Sequence, residues 1–234
     1  MRSMKVNGIA VATAVVACSW LSFLAPTSNA QNFDFFYLVM QWPPAFCNQP
    51  GARCKPRIPR TFTIHGMWPQ TNSGGSPQDC PGAVPDVRRS GQVDEATLGL
   101  MDRQWPNLKR VRRGNGNSQF WTYEWNKHGT CSGWSLQSYF RATVDRASGV
   151  DLLRELRSNG IQPDNQLYAR NRFRNALGRY SAVISCNNVR RRRTISKQIH
   201  EIWLCVHKDG SRIFPCARGT RFRNCGGGAI VFSS

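Results

Sequence analysis

Four side chains in two short segments have the types and spacing to move protons beside a negative charge. Residues 120–131 read Phe120-Trp121-Thr122-Tyr123-Glu124-Trp125-Asn126-Lys127-His128-Gly129-Thr130-Cys131. On a helix, Glu124, Lys127 and His128 stand at i, i+3 and i+4 and share one side. Alone, such a trio is most simply a surface ion pair beside a histidine. Its context is richer, because Trp121 and Trp125 flank it and Cys131 follows three residues after His128. A second histidine, His65, precedes Gly66 in Phe62-Thr63-Ile64-His65-Gly66-Met67-Trp68-Pro69. Two histidines suit cleavage of a phosphodiester through the neighbouring ribose 2′-hydroxyl. One removes that proton, the other protonates the departing 5′-oxygen, and a lysine stabilises charge on the phosphoryl oxygens. The chemistry needs no metal and no cofactor. The residue types leave open which histidine is the acid and which the base.

These side chains need elements to hold them. Residues 33–42 are aromatic and β-branched and stop at Pro43-Pro44, which predicts a strand. Residues 60–67 alternate, with Phe62, Ile64 and Gly66 on one face and Thr61, Thr63 and His65 on the other, so a half-buried strand is expected. Residues 71–92 read as loop. Helices are expected over 119–127, 136–147, 150–157 and 164–177, the last ended by Gly178. Leu136, Phe140 and Val144 recur at i, i+4 and i+8. Strands return at 199–206, 212–216 and 229–232. Helices grouped between runs of strands predict an α+β fold.

The chain has 234 residues, with 32 Lys+Arg against 13 Asp+Glu, a formal net charge of +19. Such a surface attracts polyanions and excludes an acidic or disordered class. Arg2 and Lys5, an apolar run over 9–24 and Ser28-Asn29-Ala30 have the form of a secretory signal peptide over residues 1–30. The mature chain, a single domain over 31–234, would be secreted and extracellular, with 30 basic against 13 acidic residues and a net charge of +17. No other stretch is apolar enough to span a membrane. Nine cysteines less Cys18 leave eight, an even number that reads as four disulfides in a secreted chain. No CxxC pair offers a metal site. Arg190 to Arg193 read as a solvated turn, whereas Arg110, Arg112 and Arg113, just before the second segment, are placed to guide phosphates. His200 and His207 read as structural or exposed.

The two segments resemble the paired active-site motifs of the ribonuclease T2 family, in its plant secreted branch. The resemblance runs from Phe33-Asp34 through Gln41-Trp42-Pro43-Pro44 to the C-terminal cysteines. It implies a central antiparallel sheet packed with helices, and disulfides Cys47–Cys54, Cys80–Cys131, Cys186–Cys225 and Cys205–Cys216. It implies endonucleolytic cleavage of RNA through a 2′,3′-cyclic phosphate by a monomer. His128 would then be the general base and His65 the general acid, with Lys127 and Glu124 stabilising the transition state. Trp68, Gln41 and Phe120 would hold bases.

Two positions depart from the family pattern. Tyr123 stands where many members have a third histidine that contacts phosphate; as an uncharged hydrogen-bond donor it would bind substrate there more weakly, with activity surviving. Gln70 stands where several members carry an aspartate that reads a purine. The charge and Tyr123 resemble the pistil self-incompatibility ribonucleases, whose partner is a pollen-side recognition protein. The chain has no Asn-X-Ser/Thr sequon, and those proteins usually carry N-glycan. The self-incompatibility type is the expectation. The alternatives are an S-like ribonuclease in defence or phosphate scavenging, and a cationic cytotoxic binding protein on the same scaffold.

Overall fold

The structure, a computed structural model, describes Met1, residues 32–191 and residues 194–234. The expected signal peptide lies, Met1 apart, outside the described residues. Strand β1 (Phe35–Gln41) leads through a short helix α1 (Pro43–Cys47) to β2 (Thr63–Gln70). Four helices follow: α2 (Glu95–Gln104), α3 (Gly116–Lys127), α4 (Leu136–Ser148) and α5 (Leu152–Ser158). Then come β3 (Leu167–Tyr168), α6 (Arg170–Ala176) and the long hairpin of β4 (Val183–Arg191) and β5 (Thr194–His207). Short strands β6 (Ile213–Phe214), β7 (Arg221–Arg223) and β8 (Ile230–Val231) close the chain.

The described strands form one sheet, in the order β2-β1-β5-β4-β7, with β6, β8 and β3 added at its margins. The fold is α+β, as expected. The four central strands are antiparallel. Two marginal pairings are parallel, β4 with β7 and β5 with β8, so the sheet is mixed rather than purely antiparallel. Both arise in the C-terminal segment, where disulfides Cys205–Cys216 and Cys186–Cys225 route the chain back along the sheet edge. The four disulfides are those implied by the resemblance.

Several elements differ from the sequence expectation. α2 and β4 were not foreseen. The helix expected over 164–177 starts only at Arg170, because Leu167 and Tyr168 pair with Val231 and Ile230. Of the turn expected over Arg190 to Arg193, Arg190 and Arg191 instead end β4 and Arg192 and Arg193 lie outside the described residues; the next strand begins at Thr194 instead of 199.

One face of the sheet makes the core. Phe36, Leu38, Met40, Ile64, Met67, Ile202 and Leu204 meet Met101, Trp121, Phe140 and Val144 from the helices. Each large side chain so buried contributes roughly 1.5–3 kcal/mol. The other face carries Tyr37, Val39 and Cys205, with Trp68 and Trp203 partly covered.

Two β-bulges break the alternation. Val39 pairs with Gly66 and Met40 with Ile64, which leaves His65 as the extra residue of β2. Ser185 pairs with Glu201 and Cys186 with Ile199, which leaves His200 as the extra residue of β5. A bulge re-aims the side chains around it. Ile64 and Met67 can therefore both enter the core while His65 and Trp68 face the other way. Gly66 does not share the face of Ile64, as regular alternation would require. A Cβ there would collide with the Glu124 carboxylate and the Trp68 indole.

β2 is an edge strand whose outer carbonyls are capped by the helical layer. Trp105 Nε1 donates to His65 O at 2.8 Å, and Tyr139 Oη donates to Met67 O at 2.7 Å. The Cys80–Cys131 bridge closes a separation of 51 residues just beyond α3. Removing it by Cys80→Ala/Cys131→Ala is expected to lower stability by about 4 kcal/mol, since the unfolded chain regains that loop's freedom. Thermal and urea melts of the double variant check this.

Candidate functional site

α3 is capped by Asn115, whose side chain accepts from the backbone N–H groups of Asn117 and Ser118. Trp121 and Trp125 anchor it in the core. Glu124 and His128 reach past the edge of β2 toward His65. The helix ends at Lys127, and the His128 N–H still donates to Glu124 O at 2.9 Å, so the pair keeps one helical turn of spacing. Gly129 lies in a 3-10 turn. Its role is close packing, because a Cβ would collide with the Trp125 ring.

His65 sits between two buried carboxylates. Its Nδ1 donates to Glu201 Oε1 at 2.6 Å, and its Nε2 lies 3.6 Å from Glu124 Oε1. Glu124 Oε2 accepts from Trp68 Nε1 at 2.8 Å, and Glu201 Oε2 accepts from Trp203 Nε1 at 2.8 Å. Glu124 is 1% exposed and Glu201 5% exposed. Burying two carboxylates costs several kcal/mol each unless they are paired, which marks this as a site rather than a packing accident.

The two histidines are tuned in opposite directions. Burial pulls the His65 pKa down, but its ring is 28% exposed, which softens that penalty. The Glu201 hydrogen bond and the charges of Glu124 and Glu201 prevail, so it is raised. His128 is lowered to about 3 by burial and by the charges of Lys127 and His65. Its Nδ1 is shielded from water with no protein partner. Burial also raises Glu124, against the opposing charges of His65 and Lys127. Glu201 remains a carboxylate: burial acts to raise it, yet the bond to His65 holds it at about 2.

The remaining expected residues gather around this pair to different degrees. The Trp68 ring stacks on His128 at 5.0 Å and meets His65 edge-on at 5.1 Å. Phe120 lies on another side of His65, with 5.8 Å between ring centroids. Gln41 is buried and donates to Ile64 O at 3.3 Å, in register with Glu201 on the neighbouring strand. The Lys127 ammonium is 4.0 Å from Asp79 Oδ2 and 5.9 Å from the Tyr123 ring. Tyr123 is 56% exposed and faces solvent beside Lys127. The Gln70 amide nitrogen donates to Pro69 O and Ser76 Oγ, next to the end of β2.

Arg110, Arg112 and Arg113 are exposed on the segment before α3. Lys109, not singled out in the sequence, is close enough for its charge to lower the His65 pKa. His200 stacks on Phe46, and exposed His207 pairs with Asp209. Among the described residues no group of three or more His, Cys, Asp or Glu is arranged to hold a metal ion.

Glu201 is the functional residue the sequence reading missed. The available signal was its position, an acid after His200 inside a run of residues 199–206 that is otherwise apolar, where a buried charge requires a partner.

Opposite tuning has a direct kinetic signature. kcat/KM is expected to rise as pH climbs through about 3, where free His128 loses its proton. It is expected to fall only above the usual histidine range, where His65 loses its own. Rates on a dinucleotide from pH 3 to 9 check this. An ascending limb near 6.5 would contradict the tuning.

The description "Ribonuclease T2 family" matches residues 33–216. "Ribonuclease 3" of Arabidopsis thaliana is 34% identical over 197 residues, 81% of this chain and 85% of that protein. "Extracellular ribonuclease LE" of Solanum lycopersicum is 34% identical over 203 residues, 82% of this chain and 84% of that protein. "Ribonuclease S-5" of Pyrus pyrifolia is 27% identical over 205 residues, 84% of this chain and 85% of that protein. Among solved structures, ribonuclease MC1 from bitter gourd seeds superposes with a TM-score of 0.71 at 31% identity, over 86% of this chain and 100% of that one. RNase NT in complex with 5′-AMP does so with a TM-score of 0.71 at 32% identity, over 87% of this chain and 99% of that one. With the family matched over most of its length and two plant relatives at 34% identity, this chain belongs to the ribonuclease T2 family, among its plant members, and is a ribonuclease of that type.

Proposed function

We propose that the chain is a secreted, metal-independent endoribonuclease that cleaves single-stranded RNA through a 2′,3′-cyclic phosphate. One observation carries the mechanism: His65, braced by the Glu201 carboxylate, stands with the buried His128 around Trp68 and Glu124. His128 takes the 2′-hydroxyl proton, and the freed oxygen attacks phosphorus. His65 gives its Nε2 proton to the departing 5′-oxygen, while Glu201 stabilises the cation before transfer. Lys127 neutralises charge on the phosphoryl oxygens. Glu124, fixed by the Trp68 indole beside His65 and Lys127, shares the task of stabilising the transition state. An incoming phosphate offsets the Lys127 charge and raises the basicity of His128 toward the working range.

The biological type we propose is the S-like one, acting in defence or phosphate scavenging. Higher identity to ribonuclease 3 and ribonuclease LE than to ribonuclease S-5 supports it over the self-incompatibility type suggested by charge and Tyr123. Four disulfides and the leader-like residues 1–30 support secretion. The test is digestion of homopolymer RNAs in EDTA with identification of the new terminus. A 2′,3′-cyclic phosphate supports the reading; dependence on a divalent ion, or cleavage of DNA, overturns it.

A further inference from the structure

The non-core face of the sheet continues away from the catalytic centre as a groove of about 410 Å³. Its floor is aromatic and joins the catalytic centre through Trp68, and residues 70–74 complete its lining. Trp68 meets Trp203 at 5.6 Å, Trp203 meets Tyr37 at 5.3 Å, Tyr37 meets Phe35 at 5.1 Å, and Phe35 meets Phe214 at 6.3 Å. Phe35, Trp203 and Phe214 remain partly open to solvent. The rim is cationic. Arg223 lies over the Trp203 ring at 5.1 Å, Arg221 donates to Tyr37 Oη at 2.8 Å, and exposed Arg218 completes the row. Arg221 Nε is shielded from water with no protein partner. Among the described residues no acidic side chain lines the groove. Glu201 lies buried beneath it against Trp203, and the Asp34 carboxylate accepts from the Asn72 N–H at its margin.

Aromatic faces beside a row of arginines match single-stranded nucleic acid, whose bases stack while its phosphates seek cations. The direction of the strand follows from the chemistry. Trp68, at the start of the path, stacks on His128, the group assigned to the 2′-hydroxyl of the nucleotide on the 5′ side of the cut. Phe120 and Lys109, on the leaving-group side, belong to the other flank of His65. We propose that the Trp203–Tyr37–Phe214 groove, rimmed by Arg218, Arg221 and Arg223, binds the RNA nucleotides that lie one and two steps upstream of the nucleotide bearing the attacking 2′-hydroxyl. The proposal rests on the ribonuclease reading for its polarity. It gives part of the surplus positive charge a task that catalysis at Lys127 does not require.

The test uses chimeric oligonucleotides with a single ribose at the cut position and 2′-O-methyl residues elsewhere. Two extra nucleotides on the 5′ side are expected to lower KM about tenfold relative to the dinucleotide. In Arg218→Gln/Arg223→Gln that gain is lost, while dinucleotide cleavage and any gain from a 3′ extension stay within twofold. This double variant keeps the Arg221–Tyr37 contact, so folding is preserved; adding Arg221→Gln deepens the loss. Arg154→Gln/Arg157→Gln, exposed on α5, is the charge-matched control and keeps the 5′ gain. A 5′ gain that survives in the groove variants, or that falls equally in the control, overturns the proposal. If wild type cleaves none of these substrates, the ribonuclease reading fails by itself. Binding of a fully 2′-O-methyl hexanucleotide then decides the groove. Tenfold weaker binding in Arg218→Gln/Arg223→Gln, with the slope of log K against log salt reduced by about 1.4, supports it, and unchanged binding overturns it.

Discussion

Replacing His65 by alanine is expected to lower kcat on RNA about 10³-fold, and replacing His128 to lower it by a similar factor. The two losses separate on a substrate whose leaving group needs no proton. On a nucleoside 3′-(4-nitrophenyl phosphate), His65→Ala is expected to stay within about tenfold of wild type, because general acid help is superfluous there. His128→Ala loses its full factor on both substrates, because the 2′-hydroxyl must still be deprotonated. The assignment comes from the environment of each ring. His65 hydrogen-bonds to one carboxylate and lies near a second, so it holds a proton to give. His128 is buried, under Trp68 and within reach of the Lys127 charge, so it arrives neutral and able to accept one. Loss on the activated substrate in His65→Ala but not in His128→Ala would reverse the roles. Full activity of His128→Ala on RNA would remove the mechanism. The double variant is expected to fall little below the weaker single one, since acid and base act as one unit.

The site was legible in the sequence where its members lie close along the chain. Glu124, Lys127 and His128 occupy one helical turn, and His65 carries Gly66 and Trp68 with it. The functional reason for Gly66 emerged only from the fold: its missing Cβ leaves the space that Glu124 and Trp68 fill. Strand alternation assigned Gly66 to the wrong face because the bulge at His65 adds a residue that no periodicity records. Glu201 was hidden for the same reason and for another. It meets His65 across 136 residues, and the bulge at His200 decides which face it occupies. α2 has clear capping by Asp94, whose side chain accepts from the Thr97 N–H, but Gly99 and a sparse apolar pattern blur its periodicity. β4 changes character halfway, from Val183 and Ile184 in the core to Asn188 and Arg190 in solvent, so neither strand template fits all of it. The sequence motifs thus located the chemistry, while tertiary register selected the carboxylate that tunes it.

Glu201→Gln tests that tuning. The amide is isosteric, its oxygen can still accept from Trp203 Nε1, and the variant is expected to fold with little change in melting temperature. The charge that favours the His65 cation is lost, so the His65 pKa falls. At pH 7 a smaller fraction of His65 then carries the proton it must deliver, and the ring loses the anion that fixes its Nδ1–H tautomer. kcat is expected to drop about 10- to 100-fold, as when the carboxylate that orients a metal-bound histidine is removed. The sign of the pH effect separates this from a merely structural role. Because the raised pKa is what keeps His65 protonated, the descending limb of the profile moves to lower pH in Glu201→Gln, and the deficit narrows on going from pH 7 to pH 5. On the 4-nitrophenyl substrate the deficit nearly vanishes, since no acid is required. A loss equal at every pH and on both substrates would mean that Glu201 only holds Trp203 and the strand in place. Glu201→Asp separates charge from reach: it restores the pH limb if the carboxylate's charge suffices, and leaves it displaced if the 2.6 Å contact is essential.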